Sequence, residues 1–360
     1  MSPDGSGSVA RALGVPRVLA PAGALPQAAD RLDPDPTLGP DELRVRLEWL
    51  NVDASSYRQL ATACGGDGEA IRSEVLRLVE RRGKLHNPVT GSGGMLVGVV
   101  DEVGPESRHG VAPGQRVASL VSLTLTPLQI DDELRDWDGL SPQVPARGHA
   151  IVFGRSAVTV VPDDLPVELA LGVFDVAGAP ASVDRLVRRY RGDGAEPVVA
   201  VLGVAGKSGL LALAAARRAG AAATIAVVLD DAQEEGLVRA GVADAAVVQD
   251  ARDALALADA VGAAGGPADV TAVCVDVPGC EHGAILATAE GGTVVFFSLA
   301  TSFSAATLGA EAFGADVTLL IGNGYVPGHA DFALTLVREG PATRQLFESL
   351  VLDAAATHQP

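Results

Sequence analysis

Aromatic side chains are scarce in this chain. Phe, Tyr and Trp make up 4% of its 360 residues, so any core must be aliphatic. Cysteine is nearly absent as well. Cys64, Cys274 and Cys280 form an odd set without metal-ligand spacing, which excludes a disulfide framework and a cysteine zinc site and points to a reduced, cytoplasmic protein. No apolar run is long enough to cross a bilayer, and nothing resembles a secretory leader. A formal charge of −18 argues against nucleic-acid and anionic-membrane partners, and fits a cationic substrate as well as plain solubility. Lysine is the most informative shortage. Among 27 basic residues only Lys84 and Lys207 are lysines, and both lie in glycine-rich motifs. Guanidinium cannot replace ammonium where a compact charge or a tunable pKa is needed.

What is abundant is the βα pattern of the second half. Val198 to Leu202 is an apolar run fit for a strand buried on both faces. Gly203, Gly206 and Gly209 follow, and Leu210 to Arg218 is Ala/Leu-rich and helical in pattern. Strand, glycine turn and helix together set a pyrophosphate on exposed N–H groups and the positive end of a helix dipole. The spacing is GxxGxxG, a variant of the usual dinucleotide fingerprint. A second strand ends at Asp230, about twenty residues beyond Gly209, where an acidic group can accept from an adenosine ribose and repel a 2′-phosphate. NAD is therefore preferred to NADP as cofactor. An ordinary βαβ turn with a surface Asp is the structural alternative. A nucleoside-triphosphate loop is excluded, because position 201, where it requires glycine, is Val.

In chain order, the first ten residues are Ser/Gly-rich and expected to fray. A short strand over Arg17 to Ala20, a half-buried strand over Glu42 to Val52, a helix over Ser55 to Ala63 and an amphipathic helix over Glu69 to Arg82 follow. Residues 121 to 150 read as turn-rich. From Pro166 a helical segment runs to Tyr190, and Pro180 is expected to kink or divide it. Strands are expected at 197–202, 224–229, 245–248, 270–276, 292–298 and 316–321, completing a doubly wound parallel sheet. Length favours two domains, 1–165 and 166–360.

The strand Met95 to Val103, followed by Pro113-Gly-Gln-Arg-Val, resembles the small β-barrel domain of medium-chain dehydrogenases. The resemblance implies an α/β protein: a Rossmann sheet plus a GroES-like, β-barrel-type N-terminal domain. The run from Arg82 to Leu96, with Gly14 to Leu19, Leu25 to Ala29, Gly206 to Leu210, Ala300 to Phe303 and Ile321 to Tyr325, resembles the L-erythro-3,5-diaminohexanoate dehydrogenase family. That resemblance covers most of the chain and implies NAD-dependent oxidation of the 3-amino group of a diamino acid to a keto acid and ammonia. It leaves open other β-amino acid substrates. A zinc-free alcohol dehydrogenase or quinone/enoyl reductase is the second reading, and a non-catalytic NAD-binding protein the third.

No metal is expected. The positions that supply zinc ligands in medium-chain alcohol dehydrogenases read Asn51 to Ser55 and Gly94-Met95-Leu96 here. Side chains must then handle the protons. Lys84, with a pKa lowered by desolvation or a neighbouring cation, and His86, titrating nearest neutrality, are the catalytic candidates. Lys84 has a structural alternative in capping carbonyls beyond a helix, and His86 in fixing its loop. Asp53 and Asp175 are placed at the second substrate ammonium, although Asp53 also reads as a helix cap and Asp175 as a salt-bridge partner. Asn87, Thr90, Ser92 and Asn323 complete the substrate candidates, with turn formation and capping as alternatives. The cofactor set is Gly203, Gly206, Lys207, Ser208, Gly209 and Asp230, with Val277, Ser298 and Leu299 after the fourth and fifth strands. By resemblance, the last strand pairs two copies into a homodimer. Replacing Lys84 by Ala is expected to slow turnover with little loss of stability.

Overall fold

Six parallel strands account for the second half of the chain. The structure is a computed structural model that describes residues 4–298 and 300–356. It divides into two compact units, one of residues 1–167 with 355–360 and one of residues 168–354.

In the first unit the strands are β1 (Val18–Ala20), β2 (Arg31–Leu32), β3 (Leu43–Asn51), β4 (Met95–Val103), β5 (Arg116–Ser119), β6 (Leu128–Ile130), β7 (Gln143–Pro145), β8 (Gly148–Val152) and β9 (Val158–Val160). Its helices are α1 (Asp4–Ala12), α2 (Ala54–Ala63) and α3 (Gly68–Arg82). β1 and β2 pair with each other. The other seven strands form one antiparallel sheet in the order β6-β8-β3-β4-β5-β9, with β7 also on β3. β3 begins with the expected alternation, Leu43, Val45 and Leu47 inward. The register then shifts between Leu47 and Trp49, so Trp49 faces out and Leu50 is fully buried. A bulge of this kind moves every later side chain to the other face.

Three strands lie in the stretch read as turns. β6 and β7 have three residues each and β8 five. Runs so short carry no legible period, and β3 recruits them by pairing. The N-terminus also differs from expectation: residues 4–12 are helical, and Arg11 bridges to Glu106 and Asp41.

In the second unit the strands are β10 (Val198–Leu202), β11 (Ala223–Val228), β12 (Ala245–Val248), β13 (Ala268–Val273), β14 (Thr288–Phe296) and β15 (Thr318–Ile321). Their order is β12-β11-β10-β13-β14-β15, and every pairing is parallel. The winding therefore reverses between β10 and β13, and the crevice beyond those strand ends is where such sheets bind ligands. Val199, Ala200, Val201 and Leu202 are 0–1% exposed, as strands covered on both faces must be.

The helices are α4 (Val167–Val176), α5 (Gly178–Gly192), α6 (Lys207–Ala219), α7 (Asp231–Ala240), α8 (Ala254–Ala263), α9 (Glu281–Leu286), α10 (Phe303–Phe313), α11 (His329–Glu339) and α12 (Pro341–Ala356). The break in the helical segment falls at Ala177 rather than at Pro180. Pro180 is the third residue of α5, inside the first turn, where a missing N–H leaves no intrahelical bond unmade.

Candidate active site

The run that follows α3 is held from several sides. Asp67 caps that helix by accepting from the amides of Glu69 and Ala70, and Gly83 ends it in the left-handed conformation at φ 61°. Lys84 is the next residue. It is 0% exposed, and its Nζ donates to the carbonyls of Pro26 at 2.8 Å and Gln27 at 3.2 Å. Leu25, Pro26 and Gln27 also line a cavity of about 210 Å³ together with Leu13, Phe153 and Arg155. Burial, and secondarily the Arg82 guanidinium, lower the Lys84 ammonium to a pKa of about 8, opposed by Asp30. Two neutral carbonyls orient the ammonium but supply no counter-charge, so desolvation dominates.

His86 is only partly buried. Its Nδ1 lies 3.4 Å from the Arg82 guanidinium. Burial, then Lys84 and Arg82, hold its pKa below the usual imidazole value, with Asp30 opposing. The imidazole is therefore neutral at neutral pH. Leu85, between the two, is buried.

Four of the expected substrate residues meet in one network at the start of α2. Asp53 is the N-cap, accepting from the amides of Ser55 and Ser56 and from both their hydroxyls at 2.7 and 3.0 Å. Burial pushes its carboxyl up, but hydroxyl and amide donors from Ser92, Ser55 and Ser56 outweigh that and leave it below the ordinary value. Thr90 joins through Ser56, with the two hydroxyl oxygens 2.6 Å apart. The Asn87 amide N–H donates to the Ser92 carbonyl, its side-chain nitrogen donates to Gln59, and its side-chain oxygen accepts from the Val89 N–H. Gly94 closes the run. At φ 101°, a Cβ there would lie 1.9 Å from the Asn51 carbonyl. Ser56 and Gln59 were not singled out from sequence; Ser55 and Ser56 stand two and three residues after the capping Asp53, where N-cap donors fall, and Gln59 lies one turn beyond Ser56 on α2.

In the second unit β10 runs into Gly203, whose φ of 86° disfavours any side chain and where a Cβ would lie a tight 3.1 Å from the Cys274 carbonyl. Gly209 is more confined still, with a Cβ falling 2.2 Å from the Gly203 carbonyl. Gly206 is different. Its Cβ would meet only that same carbonyl, at an ordinary 3.4 Å, and its φ of −100° suits any residue. Gly206 is also the N-cap of α6, with no side-chain cap. The first backbone bond runs from the Leu210 N–H to its carbonyl, which leaves the Lys207, Ser208 and Gly209 amides at the helix entrance. A turn with two glycines needed for its own shape and a third that keeps the approach clear fits a dinucleotide diphosphate.

Asp230 is exposed and caps α7 by accepting from the Gln233 amide. Val277 is 40% exposed beyond β13. Ser298 follows β14, its hydroxyl accepting from the Ala300 amide and lying 3.5 Å from an Asp276 oxygen. Leu299 lies outside the described residues. Asn323 is exposed and accepts from the Tyr325 amide in a local turn. Asp175, near the end of α4, forms an ion pair with Lys207 at 2.9 Å. Among the described residues no group of three or more His, Cys, Asp or Glu side chains is arranged to hold a metal, and no helix is long and apolar enough to cross a membrane.

Comparison with known proteins adds three findings. Residues 16–162 match the family described as the L-erythro-3,5-diaminohexanoate dehydrogenase N-terminal domain. The chain is 39% identical to L-erythro-3,5-diaminohexanoate dehydrogenases of Acetoanaerobium sticklandii and Fusobacterium nucleatum subsp. nucleatum, over 94% of its own length and 98% of theirs. A thermostable alcohol dehydrogenase from Pyrobaculum aerophilum shares the fold at a TM-score of 0.51 and 18% identity, over 85% of this chain and 83% of that one. The architecture is thus that of medium-chain dehydrogenases, a doubly wound sheet with a GroES-like antiparallel partner.

Proposed function

Because the chain belongs to the L-erythro-3,5-diaminohexanoate dehydrogenase family, an enzyme family of oxidoreductases, we propose that it oxidatively deaminates a diamino acid with NAD. The substrate in this reading is L-erythro-3,5-diaminohexanoate, and the products are 5-amino-3-oxohexanoate, ammonia and NADH. One water is consumed. Two functional domains, 1–165 for substrate and 166–360 for cofactor, follow from it.

The observation that carries this reading is the run from Lys84 to His86, where burial and neighbouring cations hold both basic groups below their ordinary pKa values. The reacting nitrogen must lose a proton before its lone pair can drive oxidation, and water must lose one to attack the resulting iminium carbon. A base held in its unprotonated form and open to the substrate suits both transfers. His86 is the accessible member of the pair, and Lys84 the sealed one that sets the local field. Asp53, kept ionised by its hydroxyl shell, supplies negative charge for the second ammonium, with Thr90 and Ser92 offering hydrogen bonds beside it, while Asn87, buried with both side-chain groups engaged, positions the run. The amides of Lys207, Ser208 and Gly209 would hold the diphosphate, Asp230 the adenosine ribose, and Val277, Ser298 and Leu299 the nicotinamide half. A dinucleotide bound there would supply the hydride acceptor that the oxidation needs.

β15 is the edge of its sheet, with Ile321 58% exposed, which supports pairing of two copies there. Three free cysteines support a reducing, cytoplasmic setting. The test of function is direct: incubate the protein with 3,5-diaminohexanoate and NAD, follow the nicotinamide absorbance and assay ammonia. Turnover with both products is expected. Activity confined to alcohols or enones with NADPH overturns the reading.

A further inference from the structure

Lysine is an odd choice for the first residue of α6. The helix dipole places positive potential there, so a cation is opposed rather than favoured. Two features offset that. Asp175, thirty-two positions earlier and on a different helix, sits 2.9 Å from the Lys207 ammonium. In addition, the turn that Lys207 follows has no side-chain cap and a clear approach at Gly206, a place for an anion.

The ion pair itself is lightly held. Its side chains keep 33% and 31% of their surface exposed, and pairs at that exposure are weak. Lysine also suits an exchange of partners, since its compact ammonium turns on a flexible stem, whereas the arginine used almost everywhere else in this chain binds carboxylates in a fixed fork.

We propose that Asp175 belongs to the dinucleotide site: its carboxylate, paired with Lys207, stands in for the cofactor's diphosphate and yields the ammonium when the dinucleotide binds. The inference rests on the dinucleotide reading of the Gly203–Gly209 turn and assigns Asp175 a role other than contact with the substrate's second ammonium. Asp175 is then a competitor within the site. It lowers affinity for the dinucleotide and hastens release of the reduced product.

Calorimetric titration of NAD and of ADP-ribose, which keeps the diphosphate and lacks the nicotinamide, tests this without turnover. Asp175→Asn is expected to tighten both ligands by about two- to fivefold, the range of one exposed ion pair. Lys207→Met is expected to weaken both by at least as much. In the Lys207→Met background, Asp175→Asn should change nothing, because the competition has no object. Asp175→Ser serves the same purpose if the Asn variant does not fold.

Unchanged or weaker binding in Asp175→Asn overturns the proposal. So does an equal gain in the Lys207→Met background, which would mark a general charge effect. A raised KM for the amino acid with unaltered dinucleotide affinity also overturns it and returns Asp175 to the substrate. If the unaltered protein binds neither ligand, the dinucleotide reading itself fails, a result separate from all of these.

Discussion

The two glycine-rich runs of this protein answer to different demands. Between Gly83 and Gly94 the chain is glycine-rich for its own sake: Gly94 sits against the Asn51 carbonyl, and the polar side chains around it are taken up by one another. Between Gly203 and Gly209 two glycines are required by backbone shape or close packing, but nothing within the protein requires Gly206 to lack a side chain, and the amides beyond it begin a helix without a side-chain cap. A glycine thus points to a ligand only where no neighbouring backbone requires it. The first run builds a rigid bed for functional side chains, and the second keeps a space open.

Substitutions can break that contrast. Gly94→Ala should be the most damaging, since both its φ of 101° and a 1.9 Å approach forbid a Cβ. A loss of about 4 kcal/mol or outright failure to fold is expected in denaturant unfolding. His86→Gln should leave the fold intact and reduce kcat/KM by roughly 10²–10⁴-fold, the usual worth of a positioned acid–base group. Unchanged activity there would remove the imidazole from the chemistry.

Lys84 gives a pH-dependent test. Its pKa is 10.5 unfolded and about 8 folded, so below pH 8 the buried charge costs the folded state its full penalty. Between those values the unfolded chain binds more protons, and stability should rise with pH. Lys84→Met should flatten that rise in melting curves taken across the interval. Because Lys84 is sealed and braces two carbonyls, Lys84→Ala is now expected to cost stability as well as turnover, in contrast to the expectation from sequence.

Gly206→Ala should barely change stability yet weaken dinucleotide binding, by about tenfold if its Cβ meets the diphosphate (about 1.4 kcal/mol). Equal affinity would put Gly206 on the same footing as its neighbours. Asp230→Ala should lose about 1 kcal/mol of cap energy and narrow the preference for NAD over NADP, measured as a ratio of affinities.

Much of this architecture was readable in advance, for reasons that particular residues make plain. The doubly buried strands of the second half announce themselves because Val199 to Leu202 and their neighbours need no alternation. The amphipathic helix before Gly83 shows its buried face as Ile71, Val75, Leu78 and Val79. The three-residue strands β6 and β7 were hidden, since pairing with distant partners, rather than local preference, makes them strands. In the candidate site Asp53 carried both a capping and a binding reading, and the capping geometry is what the structure displays. The partners of Lys84 and Lys207 lay beyond any local pattern. Pro26 and Gln27 stand 58 and 57 positions from Lys84, Asp175 stands 32 from Lys207, and only the tertiary fold joins them.

The slip in β3 between Leu47 and Trp49 governs what this segment can tolerate over time. Its first half pairs with β8 and its second with β7, and the strand ends at Asn51, two residues before Asp53. Exchange of one side chain for another leaves that gearing intact. Insertion or loss of a single residue would turn every later side chain to the opposite face, so the stretch is held to its length more tightly than its outward positions are held to their identity.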